Sequence, residues 1–145
     1  MVSYRFITST DISPGMLPEI NSLLSQLAPD SPKVTLEALR QTADKSHLLL
    51  VSDSDTGKII GLAVLTVAHK LVTPDFGSIE DVVVDSAYRG KGIGKEIVSQ
   101  LISKARQLKL HYIELTSNPS RVTANRLYQS LDFVLRPTNC YRLQL

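Results

Sequence analysis

The chain has 145 residues, 43% hydrophobic and 21% charged, with a formal net charge of +2 at pH 7. That length suits one domain with its own core, spanning residues 1–145. The balance of residues excludes wholesale disorder and the strongly basic surface of a nucleic-acid-binding protein. Cys140 is the single cysteine, which excludes an internal disulfide and a cysteine-based metal cluster and suits a reducing cytoplasm. The run Met1-Val2-Ser3-Tyr4-Arg5-Phe6-Ile7 lacks the long apolar segment of a signal peptide, and the apolar stretch Ile59 to Ala68 is too short to span a bilayer. A cytoplasmic chain with no membrane and no nucleic-acid partner is expected.

In chain order, Tyr4 to Thr8 alternates like a first strand. Ser13-Pro14 reads as a helix start, followed by Leu17, Ile20, Leu24 and Leu27 at helical spacing, until Pro29 and Pro32 break the pattern. A shorter helix is expected from Thr35 to Ala43. His47–Ser52 and Lys58–His69 read as two strands around the turn Asp53-Ser54-Asp55-Thr56-Gly57, and Gly77–Val84 as a fourth strand. Gly92–Leu108 is the clearest helix, with Ile93, Ile97, Val98, Leu101, Ile102, Ala105 and Leu108 in one stripe. A fifth strand over Tyr112–Thr116, a helix over Arg121–Leu131 and two closing strands within Phe133–Gln144 complete the order. The fold class expected is α/β (mixed α+β): a mostly antiparallel sheet of six to seven strands with helices on both faces, in which the helix joining the fourth and fifth strands makes a crossover between parallel neighbours.

The most informative segment is Val82-Val83-Val84-Asp85-Ser86-Ala87-Tyr88-Arg89-Gly90-Lys91-Gly92-Ile93-Gly94-Lys95. An apolar strand enters a loop with three alternating glycines, and a long helix begins at once. Glycines bring backbone N–H groups close to a ligand, and the first turn of a helix favours an anion. Arg89, Lys91 and Lys95 add positive charge to the rim, so the segment reads as a diphosphate cradle. Glu96 after Gly94-Lys95 breaks the nucleoside-triphosphate loop pattern, and the G-x-G-x-G spacing of Gly90, Gly92 and Gly94 is not the dinucleotide fingerprint.

Arg89-Gly90-Lys91-Gly92-Ile93-Gly94 resembles the R/Q-x-x-G-x-G/A signature of the GNAT acetyltransferase superfamily. The likeness extends to Ile79-Glu80-Asp81-Val82-Val83-Val84, similar to that family's fourth strand, and to Asn125-Arg126-Leu127-Tyr128-Gln129-Ser130-Leu131-Asp132-Phe133, with Asp132 where glycine is usual. The resemblance implies a GNAT-like fold whose fourth and fifth strands splay apart, with acetyl-CoA as acyl donor. It implies that the backbone of Val82, Val83 and Val84 pairs with the pantetheine arm, as a peptide pairs with an open sheet edge. It also implies that Ile93, Asn118, Asn125 and Tyr128 contribute to the cofactor site beside the cradle residues.

Acetyl transfer to an amine needs a neutral amine, a stabilised oxyanion and a proton for the departing thiolate. An alkylammonium with a pKa of about 10.4 must lose its proton at neutral pH. Glu80 and Asp81 are the candidate bases, and strand alternation lets only one face the acceptor unless a bulge intervenes. The family parallel favours Glu80, directly or through a water. Tyr128 is the candidate acid, sharing one helical face with Arg121 and Asn125. Cys140 is expected to be a small buried residue near the last strand rather than a nucleophile. His47, His69 and His111 lack metal-ligand spacing, so no metal is expected.

The function expected is direct acetyl transfer from acetyl-CoA to a primary amine of a small molecule or a protein. Its rivals are a catalytically silent acyl-CoA-binding module, against which Glu80 and Tyr128 both argue, and a protein-interaction domain with an incidental glycine loop. Ile79-Glu80-Asp81 resembles the corresponding stretch of glucosamine-phosphate acetyltransferases, but three residues leave the acceptor open. The oligomeric state, a homodimer included, is open as well.

Overall fold

Leu48, Leu49, Leu50 and Val51 follow one another without a polar break, and a strand of that composition must be covered on both faces. A computed structural model, which describes residues 1–145, shows all four buried. The strands are β1 (Val2–Ile7), β2 (His47–Asp53), β3 (Ile59–Ala68), β4 (Phe76–Val84) and β5 (Ile113–Glu114), side by side in that order. The helices are α1 (Leu17–Leu27), α2 (Leu36–Lys45), α3 (Ile93–Gln107) and α4 (Val122–Ser130). The chain divides into two compact units: Met1–Leu115, which holds the sheet and α1–α3, and Thr116–Leu145, which holds α4.

In the first unit β1 to β4 pair antiparallel, while β4 and β5 pair in parallel with α3 as their crossover. Register decides which side chains meet which helix. Leu48 opposite Val64, and Leu50 opposite Leu62, put those four in a cluster with Ile20 and Leu23 of α1 and Leu39 and Ala43 of α2. Leu49 opposite Ala63, and Val51 opposite Gly61, point to the other face. There α3 comes so near that a Cβ on Gly61 would lie 3.2 Å from Ile97 Cδ1.

The helices begin where local chemistry allows. Ser13-Pro14 opens a 3₁₀ turn, Pro14–Met16, that runs on into α1, so the regular helix starts at Leu17 rather than at the proline. Thr35 caps α2 by accepting from the Ala38 N–H at 3.1 Å. The loop between them is tied back by Asn21, whose amide donates to Val34 O at 3.0 Å and accepts from Val34 N at 2.8 Å. Ile93, Ile97, Val98, Leu101 and Ala105 bury the expected stripe of α3, whereas Leu108 is 37% exposed.

Two features of β4 bear on the site. Val64 pairs with Glu80 but Leu62 pairs with Val83, so β4 carries one residue more than β3 across that step. This bulge places Asp81 at φ 55°, a left-handed conformation uncommon for a residue with a side chain. On its other edge β4 pairs with β5 only at Gly77 and Ser78. Gly77 is required there, because a Cβ would sit 2.7 Å from Leu65 Cδ1 and 2.9 Å from Ile113 Cγ2.

In the second unit, Tyr128 of α4 meets Phe133 edge to face at 5.9 Å. The helix ends through Asp132 at φ 66°, the left-handed position at which glycine was expected to be easier.

Three expectations are corrected. The sheet has five strands rather than six to seven, because Phe133–Gln144 forms no strand. A strand exists only through ladder partners, and Pro137 has no N–H to give one. Val134, Leu135, Tyr141 and Leu143 are accordingly exposed. For the same reason Cys140 is exposed rather than buried, since no closing strand carries it into a core. The fifth strand shrinks from Tyr112–Thr116 to Ile113–Glu114. No helix is long and apolar enough to cross a membrane.

Candidate functional site

From the end of β4 the chain passes Asp85, makes a 3₁₀ turn over Ser86–Tyr88, and reaches Arg89-Gly90-Lys91-Gly92 before α3 begins at Ile93. Gly90 and Gly92 have φ of 77° and 80°, so both lie where L-residues are strained. A Cβ added at either would meet nothing within 4 Å, so bare backbone borders open space. Gly92 is the N-cap of α3, and the first N–H to find a helical partner is that of Glu96, on Gly92 O at 3.1 Å. The N–H groups of Ile93, Gly94 and Lys95 precede it in the first turn, the position at which a helix offers donors to an anion. A diphosphate fits that arrangement. Arg89 Nε donates to Val84 O at 3.0 Å, and Lys91 Nζ lies 5.0 Å above the Tyr88 ring. Two of the three rim cations are thereby held close to the loop.

Val82, Val83 and Val84 lie beyond the two-residue contact with β5, so β4 has no strand partner on that edge along this stretch. Glu80 stands opposite Val64, a member of the cluster under α1 and α2, and Asp81 borders a cleft of about 360 Å³ against α1 and the loop after it. Pro18, Asn21, Ser25, Lys33 and Val34 also line that cleft. The bulge thus leaves both carboxylates on the sheet face that α1 and α2 cover, where strict alternation would have allowed one. Glu80 accepts from the Ser78 hydroxyl at 2.6 Å. Partial burial, and then the Glu80 charge, raise the Asp81 carboxyl above the ordinary carboxylate range.

Asp81 therefore carries backbone strain and an unfavourable charge together, a combination found at functional positions. Asn adopts left-handed backbone more readily and has no charge to lose. Asp81→Asn should raise stability modestly at pH 7, since solvent screens the charge of this exposed side chain, while lowering turnover. The sign follows from the raised pKa: wild-type stability from this group is full below its unfolded pKa and is lost as pH rises through the folded one. The charge part of the difference in Tm should consequently disappear under acid conditions, where Asp81 is protonated in both states, and the smaller backbone part should remain. Melting curves across pH check this.

Sequence windows missed a set of polar contacts behind the loop. Lys58 Nζ is 2.8 Å from Asp85 Oδ2, Tyr88 Oη donates to Asp53 Oδ2 at 2.9 Å, and Ser86 N donates to Gln26 Oε1 at 2.9 Å. Asp53 and Lys58 bracket the β2–β3 turn, and its sequence marks it as a turn and nothing more. The one available signal was a carboxylate, Asp85, directly after an apolar strand. His69 pairs with Asp75 at 2.7 Å, both exposed at the ends of the β3–β4 connection.

In the second unit Asn118 makes a turn ahead of α4: its side-chain oxygen accepts from Ser120 N at 2.9 Å, and its carbonyl accepts from Asn125 Nδ2 at 3.0 Å. Asn118 and Asn125 are thus joined directly, with Arg121 as the N-cap between them. Burial raises the pKa of the Tyr128 phenol, against a smaller opposing effect of Arg121, so at neutral pH it is a proton donor.

Comparison with known proteins bears on both units. The model of the acetyltransferase (GNAT) family matches residues 17–133. Glucosamine 6-phosphate N-acetyltransferase 1 of Oryza sativa subsp. japonica is 36% identical over 124 residues, 79% of this chain and 72% of that protein. Glucosamine 6-phosphate N-acetyltransferase of Trypanosoma brucei brucei is 35% identical over 80 residues, and the match spans about half of each chain (54% and 52%). The crystal structure of a Trypanosoma brucei acetyltransferase superposes over 100% of both chains with a TM-score of 0.80 at 27% identity.

Proposed function

The chain belongs to the GNAT acetyltransferase family, whose reaction moves an acetyl group from acetyl-CoA to an amine, and from that premise we propose that its acceptor is a phosphorylated amino sugar of the glucosamine 6-phosphate class. The observation that carries this acceptor is the α1 cleft. It offers a carboxylate, Asp81, for an ammonium, a lysine, Lys33, for a phosphate, and the hydroxyls of Ser22, Ser25 and Ser31 for a sugar. The 36% identity to the rice glucosamine 6-phosphate enzyme supports the same choice. We assign the work to residues 1–145 as one acetyltransferase domain, since the family match runs across Leu115 and Thr116 without a break.

The roles follow from the chemistry. Backbone N–H groups from Gly90 to Lys95, with Arg89, Lys91 and Lys95, bind the diphosphate of acetyl-CoA. The free edge of Val82, Val83 and Val84 pairs with its pantetheine amides, and Asn118 and Asn125 contact the same arm. Glu80, directly or through a water, with Asp81 beside it, takes the proton of the acceptor ammonium. The amine nitrogen then attacks the thioester carbonyl carbon, and a C–N bond forms. When the C–S bond breaks, sulfur leaves with the electron pair and takes a proton from Tyr128. The nitrogen gives up its second proton to the Tyr128 phenolate, which restores the acid, and Glu80 releases the first to water; the products are CoA as the free thiol and the N-acetyl amide.

Thiol release over an amine panel tests the acceptor. Glucosamine 6-phosphate should give the highest kcat/KM, above glucosamine and above lysine peptides. Lys33→Ala should raise KM for the phosphorylated sugar by about 10- to 100-fold, the worth of a charged hydrogen bond, and leave glucosamine unaffected. Equal rates with the phosphorylated and unphosphorylated sugars would discard the phosphate assignment.

A further inference from the structure

We propose that the β2–β3 turn, Asp53 to Lys58, is the strut that fixes the diphosphate cradle, with Asp53 and Lys58 as positioning residues acting through Tyr88 and Asp85. The inference rests on the donor-site reading of the glycine loop and assigns function to a turn remote from it in sequence.

The geometry is reciprocal. Asp53 uses Oδ1 on its own turn, accepting from Asp55 N at 2.9 Å, and Oδ2 on Tyr88 at 2.9 Å. Asp85 uses Oδ1 on its own turn, accepting from Ala87 N at 3.0 Å, and Oδ2 on Lys58 at 2.8 Å. Each carboxylate stiffens its own segment with one oxygen and grips the opposite segment with the other. The turn itself is closed by Asp53 N on Lys58 O at 2.9 Å and Gly57 N on Asp53 O at 2.7 Å, so it is a rigid base.

The latch reaches the rim directly. The Tyr88 ring, fixed through its hydroxyl, has Lys58 Nζ 5.7 Å and Lys91 Nζ 5.0 Å from its centroid. Ordering Tyr88 therefore orders a cradle cation. Asp85, at 8% exposure, is the one buried charged residue of the chain. Its partner Lys58 is 47% exposed, and a half-exposed ion pair adds little stability, so the pair at this place is better explained by the geometry it imposes. It sits four residues ahead of Arg89, at the point where β4 hands over to the loop.

Competition titrations with CoA and with pantetheine, the same thiol arm without the diphosphate and nucleotide, test the strut. Asp85→Asn and Lys58→Met should each weaken CoA by about tenfold or more and leave pantetheine within about twofold. Lys58→Arg, which keeps the charge, should retain wild-type affinity for both. Tyr88→Phe removes one oxygen from a half-buried ring and keeps the test available if Asp85→Asn does not fold; it should weaken CoA selectively as well. CoA affinity unchanged in Lys58→Met and Tyr88→Phe would overturn the proposal, as would an equal loss for CoA and pantetheine. A wild-type protein that binds the two alike would instead refute the donor-site reading itself.

Discussion

Gly92→Asp should abolish measurable CoA binding, while the near-isosteric Gly92→Asn should bind weakly. At φ 80° either side chain meets the left-handed strain of a residue with a Cβ, about 1 kcal/mol, and Asn and Asp bear it better than most. The structure leaves open space at that Cβ, so neither variant is excluded by a clash within the protein. What separates them is charge. A carboxylate about 4 Å from one diphosphate charge, at an effective dielectric constant of about 20, is repelled by about 4 kcal/mol, or about a thousandfold in Kd. The gap between the two variants should narrow with added salt, because screening acts on the charge term and leaves the strain term alone. Lys91→Ala should cost far less than Gly92→Asp, because the lysine supplements a site that the backbone creates. Calorimetric titration with CoA, with circular dichroism to confirm folding, checks the series. Equal affinity in wild type and Gly92→Asp would remove the diphosphate from this loop.

How much of this was legible beforehand depends on the range of the contact. The α3 stripe and the glycine loop are local patterns, and each was readable because a helix repeats within one window and a cradle is a contiguous run. The Asp81 bulge was not readable: Ile79 to Val84 carries no mark of an inserted residue, and alternation alone assigns its carboxylates to opposite faces. Lys58 and Asp85 are 27 residues apart, and Asp53 and Tyr88 are 35 apart, so no window joins them. The closing segment Phe133–Gln144 failed in the opposite way. Its residues Tyr141 to Gln144 alternate as β1 does, but alternation reports a capacity to pair, and β1 has β2 along its whole length while this segment has no ladder. Residue pattern fixes what a segment can do; partners elsewhere in the chain decide whether it does so.

Tyr128→Phe should lower kcat by about ten- to a thousandfold with little change in acetyl-CoA affinity, the span of general-acid contributions. Phenylalanine keeps the ring, and with it the edge-to-face contact with Phe133 at 5.9 Å, and removes only the donor. The direction of the phenol's pKa supports the role. Raised by burial, the Tyr128 phenol stays protonated through neutral pH, the state that the proposed acid role requires. The same shift predicts the pH profile: the stability and the acid function tied to this group are intact below the ordinary tyrosine value of 10.0, and both fade as pH rises through the raised folded value. A wild-type profile of kcat should accordingly hold on its alkaline side beyond the ordinary phenol range, and Tyr128→Phe should lose whatever fall is seen there. A tyrosine that merely filled space would behave otherwise, with a lower Tm and unchanged turnover per folded molecule. Rates under conditions where chemistry limits turnover, measured beside the melting curve of the same variant, separate the two. Wild-type kcat in Tyr128→Phe would mean that the thiolate takes its proton from another donor.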